Sequence, residues 1–305
     1  MTIREMQNEI LQLKKEKDVF ILAHSYERHE ILDIADVTGD SYRLACAVKN
    51  VRHKTVLLCG VRFMAETVKI LSPEKRVILS HEEAGCPMAD GLSIEKLRRL
   101  QEQYPSAVTV AYINTTAQVK ALSDVCVTSS SAVKVIAGLP DKEILFVPDQ
   151  NLGRFCQKQL PEKTFYFFEG GCPIHMNATL RDVERVKAAH PNAFLLVHPE
   201  CFEEVVERAD YVGSTSGIID TVRKSTHDEF IIGTDNSIRE HLEFEFPEKK
   251  FYPLSKKLMC MNMRLTTLKN VRDCLLGCGG EEIVMEENLR VSAKRCIDRM
   301  IRLGG

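Results

Sequence analysis

The chain has 305 residues, enough for two or three small domains with cores of their own, and 41 Lys+Arg against 43 Asp+Glu leave a net charge of −2. So balanced a charge gives no global field for nucleic acid or an anionic membrane, and small molecules are the expected partners. No apolar run approaches the roughly 20 residues that span a bilayer, and Met1 to Lys17 reads as a charged amphipathic helix rather than an export signal, so a cytoplasmic protein is expected. Eleven cysteines, without tight spacing and in a reducing compartment, point to thiols and metal ligands rather than a disulfide framework.

Taken in order, the chain states one pattern three times. An amphipathic helix opens each copy: Arg4 to Lys17, Ser93 to Tyr104 and Thr179 to His190. An apolar run follows, ending in polar residues: Val19 to Tyr26, Val108 to Asn114 and Ala193 to Glu200. Runs of this kind are buried parallel strands. His24, Tyr112 and His198 stand at their ends, 88 and 86 residues apart. Next come Ser/Thr clusters around Ser41, Ser129 and Thr215, at the same offsets, where helices are expected to start and hydroxyls commonly serve as N-caps. A second strand follows (Thr55 to Gly60, Glu143 to Pro148, Glu229 to Gly233), then a helix ended by Pro73, Pro161 or Pro247. A third strand (Arg76 to Ser80, Thr164 to Phe168, Lys250 to Leu254) delivers the chain to Cys86, Cys172 or Cys260.

Strands alternating with helices specify an α/β fold with parallel sheets covered on both faces. The repeats predict units at 1–87, 88–173 and 174–260, with 261–305 as a closing segment whose stretch Thr266 to Leu276 copies the opening helix. One cysteine per unit favours a closed pseudo-threefold arrangement over a solenoid, since only closure brings the three together. Functional groups of parallel sheets gather at the carboxyl ends of strands and at adjacent helix starts, where free N–H groups favour anions. Three such corners fit a polyanionic substrate or two substrates together. Three cysteines fit either zinc, with His175 completing a four-ligand site, or a four-iron cluster with one iron left open as a Lewis acid; the second is favoured.

The joint order of His24-Ser25-Tyr26, Gly39-Asp40-Ser41, Cys86-Pro87-Met88-Ala89, Tyr112-Ile113-Asn114, Pro148-Asp149-Gln150-Asn151, Cys172 with His175, His198-Pro199-Glu200, Gly213-Ser214-Thr215, Gly233-Thr234 and Cys260 with Asn262-Met263 resembles the quinolinate synthase (NadA) family. The resemblance implies three pseudo-symmetric α/β/α domains around one [4Fe–4S] cluster held by Cys86, Cys172 and Cys260. It implies condensation of iminoaspartate with dihydroxyacetone phosphate to quinolinate, losing phosphate and two waters, in NAD biosynthesis. An L-aspartate oxidase or dehydrogenase is the implied supplier of iminoaspartate. His24, Ser41, Tyr112, Ile113, Asn114, Ser129, His198, Pro199, Glu200 and Thr215 are the implied substrate contacts, and Tyr26, Glu200 and His175 the expected catalytic groups. Ser25, Ser131, Asp235 and Arg264 depart from the family's usual residues without touching an implied ligand. The other eight cysteines take no role from the resemblance, and Cys126 and Cys201 are read as core packing. Two competing readings are another iron–sulfur hydro-lyase acting on a carboxylate, and a zinc-stabilised binding protein.

Overall fold

The computed structural model describes residues 1–304; Gly305, the last residue of the expected closing segment, lies outside them. Three sheets carry the fold. The first holds β1 (Val19–His24), β2 (Val37–Gly39), β3 (Thr55–Cys59) and β4 (Arg76–Leu79); the second β5 (Val108–Tyr112), β6 (Val125–Val127), β7 (Glu143–Val147) and β8 (Thr164–Phe167); the third β9 (Phe194–Val197), β10 (Tyr211–Val212), β11 (Glu229–Gly233) and β12 (Lys250–Pro253). These strands all pair in parallel, and the spatial order is the same each time: β2-β1-β3-β4, β6-β5-β7-β8 and β10-β9-β11-β12.

Each sheet therefore has one strand more than the sequence pattern predicts. The added strands β2, β6 and β10 are two or three residues long, too short for a hydrophobic period. Each is held to its neighbour from the residue just before it. Asp36, Asp124 and Asp210 accept backbone hydrogen bonds from Ile21, Thr109 and Leu195 at 2.7, 2.8 and 2.7 Å. A second repeated device was equally hidden in the sequence. The ammonium groups of Lys75, Lys163 and Lys249 each donate to two carbonyls, Val51 and His53, Leu139 and Asp141, or Ser225 and His227, at 2.7–2.9 Å. Lysine suits this because one flexible stem brings three donors to carbonyls that have left their helix without partners.

The opening helices are Ile3–Glu16, Ile94–Gln103 and Leu180–Ala189, capped by Thr2, Ser93 and Thr179. The predicted fourth copy is present as Leu268–Leu276, capped by Thr267, and it packs beside Ile3–Glu16 on the first sheet. One further strand departs from the all-parallel expectation: β13 (Glu281–Glu282) runs antiparallel on β4. The final helix, Glu287–Arg302, turns Ala293, Cys296, Ile297 and Met300 inward and packs on β6 and on the helix Ala117–Ala121 of the second sheet. The closing segment thus fastens the first two sheets together. No helix among the described residues is long and apolar enough to cross a membrane.

Candidate active site

The carboxyl ends of the three sheets meet at one cavity, about 780 Å³ of empty space counting its open mouth. Tyr26, His175, Cys86, Cys172 and Cys260 line it, as do His24, Ser41, Tyr112, Ile113, Asn114, Ser129, His198, Glu200 and Thr215. Pro199 does not, although it is buried between two residues that do. The three cysteines are on one cavity because the sheets close on each other, as a stacked solenoid would not allow. Residues to which the sequence reading gave no role complete the wall, among them Asp40, Phe63, Met64, Met88 and Met263. Among the described residues, no lysine or arginine lines the cavity.

The repeat decides which side chains meet. His24, Tyr112 and His198 occupy one repeated position, and Tyr26, Asn114 and Glu200 another, two residues on. The two histidines are held alike. Nδ1 of His24 accepts from the Tyr26 N–H at 3.1 Å, and Nδ1 of His198 accepts from the Glu200 N–H at 3.3 Å. In the neutral ring this leaves Nε2 carrying the proton, as a donor. Burial depresses both imidazoles to about 4, against the opposing pull of Asp40 and Glu200 on His24 and of Glu200 on His198. Both are neutral donors at neutral pH.

A hydrogen-bonded chain joins the three expected catalytic groups. His175 Nδ1 lies 2.7 Å from Glu200 Oε2, and its Nε2 lies 3.0 Å from Thr234 Oγ1. Thr234 Oγ1 is 2.8 Å from Tyr26 Oη, which is 2.9 Å from Thr215 Oγ1. Thr234, fully buried, is the link the sequence reading missed; it was visible only as part of a Gly-Thr pair. Burial opposes the Glu200 charge, but the His198 and His175 rings, with hydrogen bonds from His175 and Tyr112, outweigh it and hold the carboxyl below its ordinary range. Burial, reinforced by the Glu200 charge, pushes the Tyr26 phenol well up. One member of the chain is kept anionic and the other protonated.

The Ser/Thr corners differ from the N-cap expectation. The caps are Asp40, which accepts from the Arg43 N–H at 2.9 Å, and Ser214, which accepts from the Gly217 N–H at 3.2 Å. Ser41 and Thr215 are the first residues of the helices Ser41–Ala47 and Thr215–Lys224, so their hydroxyls are left for the cavity. In the second unit Ser131 holds the N-cap position of the helix Ala132–Ala137 without a side-chain cap, its hydroxyl accepting instead from the Thr128 N–H at 3.0 Å, while Ser129 lies in the turn before it. Asp40 also accepts from Ser216 Oγ at 2.9 Å, joining the first and third corners.

Each cysteine is presented on a loop with its sulfur facing backbone N–H groups: Met88 and Ala89 for Cys86, His175 for Cys172, Asn262 and Met263 for Cys260. The loops are anchored by carboxylates that accept from the cysteine N–H, Asp90 at 3.0 Å, Asp149 at 2.9 Å and Asp235 at 2.7 Å. Asp149 and Asp235 sit at repeated positions, whereas the first unit has Val61 there and uses Asp90 instead. Burial pushes the Cys86 thiol up to about 12 and raises those of Cys172 and Cys260. Thiolates here require a cation, and three sulfurs with N–H donors form a set that suits a metal–sulfur group. Among the described residues, the ligand atoms of Cys172, His175 and Glu200 lie within 4.8 Å of one another, a metal-capable group that does not include Cys86 or Cys260.

Comparison with known proteins adds an independent line. The family described as Quinolinate synthetase A protein matches residues 8–302. A quinolinate synthase of Caldicellulosiruptor bescii is 46% identical over 304 residues, covering 100% of both chains. One of Methanoregula boonei is 47% identical over 298 residues, 98% of each, and one of Thermodesulfovibrio yellowstonii is 44% identical over 295 residues, 97% of each.

Proposed function

The chain belongs to the quinolinate synthetase A family of enzymes, and on that premise we propose that it condenses iminoaspartate with dihydroxyacetone phosphate to quinolinate, releasing phosphate and two waters. The single observation that carries the reading to this site is the convergence of Cys86, Cys172 and Cys260 on the cavity that also holds the Tyr26–Thr234–His175–Glu200 chain. Cys86, Cys172 and Cys260 are the residues that hold a [4Fe–4S] cluster. When bound, it supplies an iron without a protein ligand, a Lewis acid for a substrate oxygen.

The remaining work falls to side chains. His24 and His198 donate through Nε2, and Ser41, Ser129, Thr215 and Asn114 supply further donors, for two carboxylates and a phosphate. Neutral donors bind these anions without the desolvated lysine or arginine that the cavity lacks. The protonated Tyr26 phenol is the acid that protonates a departing hydroxyl, and the anionic Glu200 carboxylate is the base that takes a carbon-bound proton. The intervening His175 and Thr234 return the proton from Glu200 to Tyr26 between the two dehydrations. We place the reaction in the cytoplasm, supplied with iminoaspartate by an L-aspartate oxidase or dehydrogenase.

The test is an iron and sulfide count on protein purified without oxygen, with quinolinate production from the two substrates measured beside it. About four irons per chain and turnover support the reading; a single zinc with no turnover points instead to a mononuclear site at Cys172, His175 and Glu200, and removes the mechanism.

A further inference from the structure

Away from the cavity, two thiols from distant parts of the chain touch. Cys126, in the middle of β6, and Cys296, on the inward face of the helix Glu287–Arg302, place their sulfurs 3.0 Å apart. Both are buried, at 0% and 1% exposure. Atoms in ordinary packing contact rest about 3.5–4.0 Å apart, whereas a disulfide is about 2.05 Å long. The pair therefore stands about 1 Å from bonding distance, nearer than core filling requires. Lys120, fully buried, interacts electrostatically with both sulfurs, but the hydrogen bond with Cys126 and burial hold the Cys296 thiol well above its ordinary range, so what favours this pair is its proximity.

We infer that Cys126 and Cys296 form an oxidation site in which hydrogen peroxide converts the two thiols to an intramolecular disulfide without unfolding of the chain. One thiol takes an oxygen from the peroxide, giving a sulfenic acid and one water. The other thiol then attacks that sulfur, its S–H proton leaves with the hydroxyl as a second water, and the S–S bond forms. Two thiols and one peroxide give one disulfide and two waters. The bond would fasten the final helix to β6, whose last residue, Val127, leads directly into Thr128 and Ser129 on the cavity wall. This inference does not depend on the proposed reaction.

Trypsin cleavage places Cys126 in 121–134 and Cys296 in 296–299, each with no other cysteine, so the link has a unique mass signature. Folded full-length protein and the same protein in concentrated urea are treated with stoichiometric hydrogen peroxide, alkylated, digested and mapped. The expected result is the 121–134/296–299 linked pair, about tenfold or more enriched in the folded sample and released by a dithiol. It is absent from Cys296→Ala, where Cys126 instead becomes alkylated. Equal yields in folded and unfolded protein, or preferential pairing of either cysteine with a third, overturn the inference. Should Cys296→Ala fail to fold, the comparison of the two wild-type samples still decides. The map reads neither cluster content nor turnover.

Discussion

Thr234 offers the sharpest test of the chain between Tyr26 and Glu200. Thr234→Val keeps the shape and removes one oxygen, which bonds Tyr26 Oη at 2.8 Å and His175 Nε2 at 3.0 Å. Tyr26 retains Thr215 at 2.9 Å, so its loss is one ordinary hydrogen bond, about 0.5–1.5 kcal/mol. His175 Nε2 is left buried without that partner, costing about 1–3 kcal/mol. The sum, about 1.5–4.5 kcal/mol, lowers Tm by roughly 2–7 °C for a chain of this length. Thr234→Ser keeps the oxygen and forfeits one methyl group, about 1 kcal/mol. Turnover separates the variants further: breaking an acid–base relay removes about 10²–10⁴ in rate, which the serine variant largely retains. Thermal melts without substrate and initial rates of quinolinate formation, at matched iron content, measure both effects. If the valine and serine variants melt together and turn over at the same rate, the hydroxyl carries neither stability nor protons and the relay is wrong.

Alanine at Cys86, Cys172 or Cys260 is expected to abolish bound iron, and a variant that keeps about four irons loses its place as a ligand. Tyr26→Phe and Glu200→Gln should load iron normally and lose at least about 10²-fold in turnover; wild-type rates in either remove that residue from the acid–base scheme. Stability should respond to acid through His24, whose imidazole is depressed from 6.5 to about 4 by burial. The unfolded chain then binds more protons than the folded one, so the contribution is complete above about pH 6.5 and is lost as pH falls towards 4. That is about 3 kcal/mol at most, and urea melts of His24→Asn across this range should show a shallower slope than wild type. Parallel slopes would mean that His24 is not the titrating group.

The helices and three parallel strands of each sheet, including the edge strands β8 and β12, were legible because long apolar runs and turn residues recur every 86–88 residues. The short strands at the other edge were not. β2, β6 and β10 depend on Asp36, Asp124 and Asp210 reaching back to another strand, and a carboxylate in a loop looks the same whether or not it does so. At the site, sequence periodicity located His24, Tyr112, His198 and the cysteines, since each sits at a repeated strand or loop end. It could not show that Thr234 lies between His175 and Tyr26, because that contact joins the first unit to the third. Nor could spacing reveal Cys126 against Cys296, a meeting of one repeat with a segment that is not repeated.

The repeated position shared by Tyr26, Asn114 and Glu200 has a consequence for the origin of the site. Three separate copies of one subunit around a threefold axis would present three identical side chains, and an identical ring suits a threefold-symmetric guest. Joining the copies in one polypeptide lets each corner mutate alone. A phenol, an amide and a carboxylate now stand where symmetry would dictate one residue, and the first loop has exchanged the anchor used by Asp149 and Asp235 for Asp90. The backbone keeps the geometry of a trimer, while the side chains have become free to tell one end of a substrate from the other.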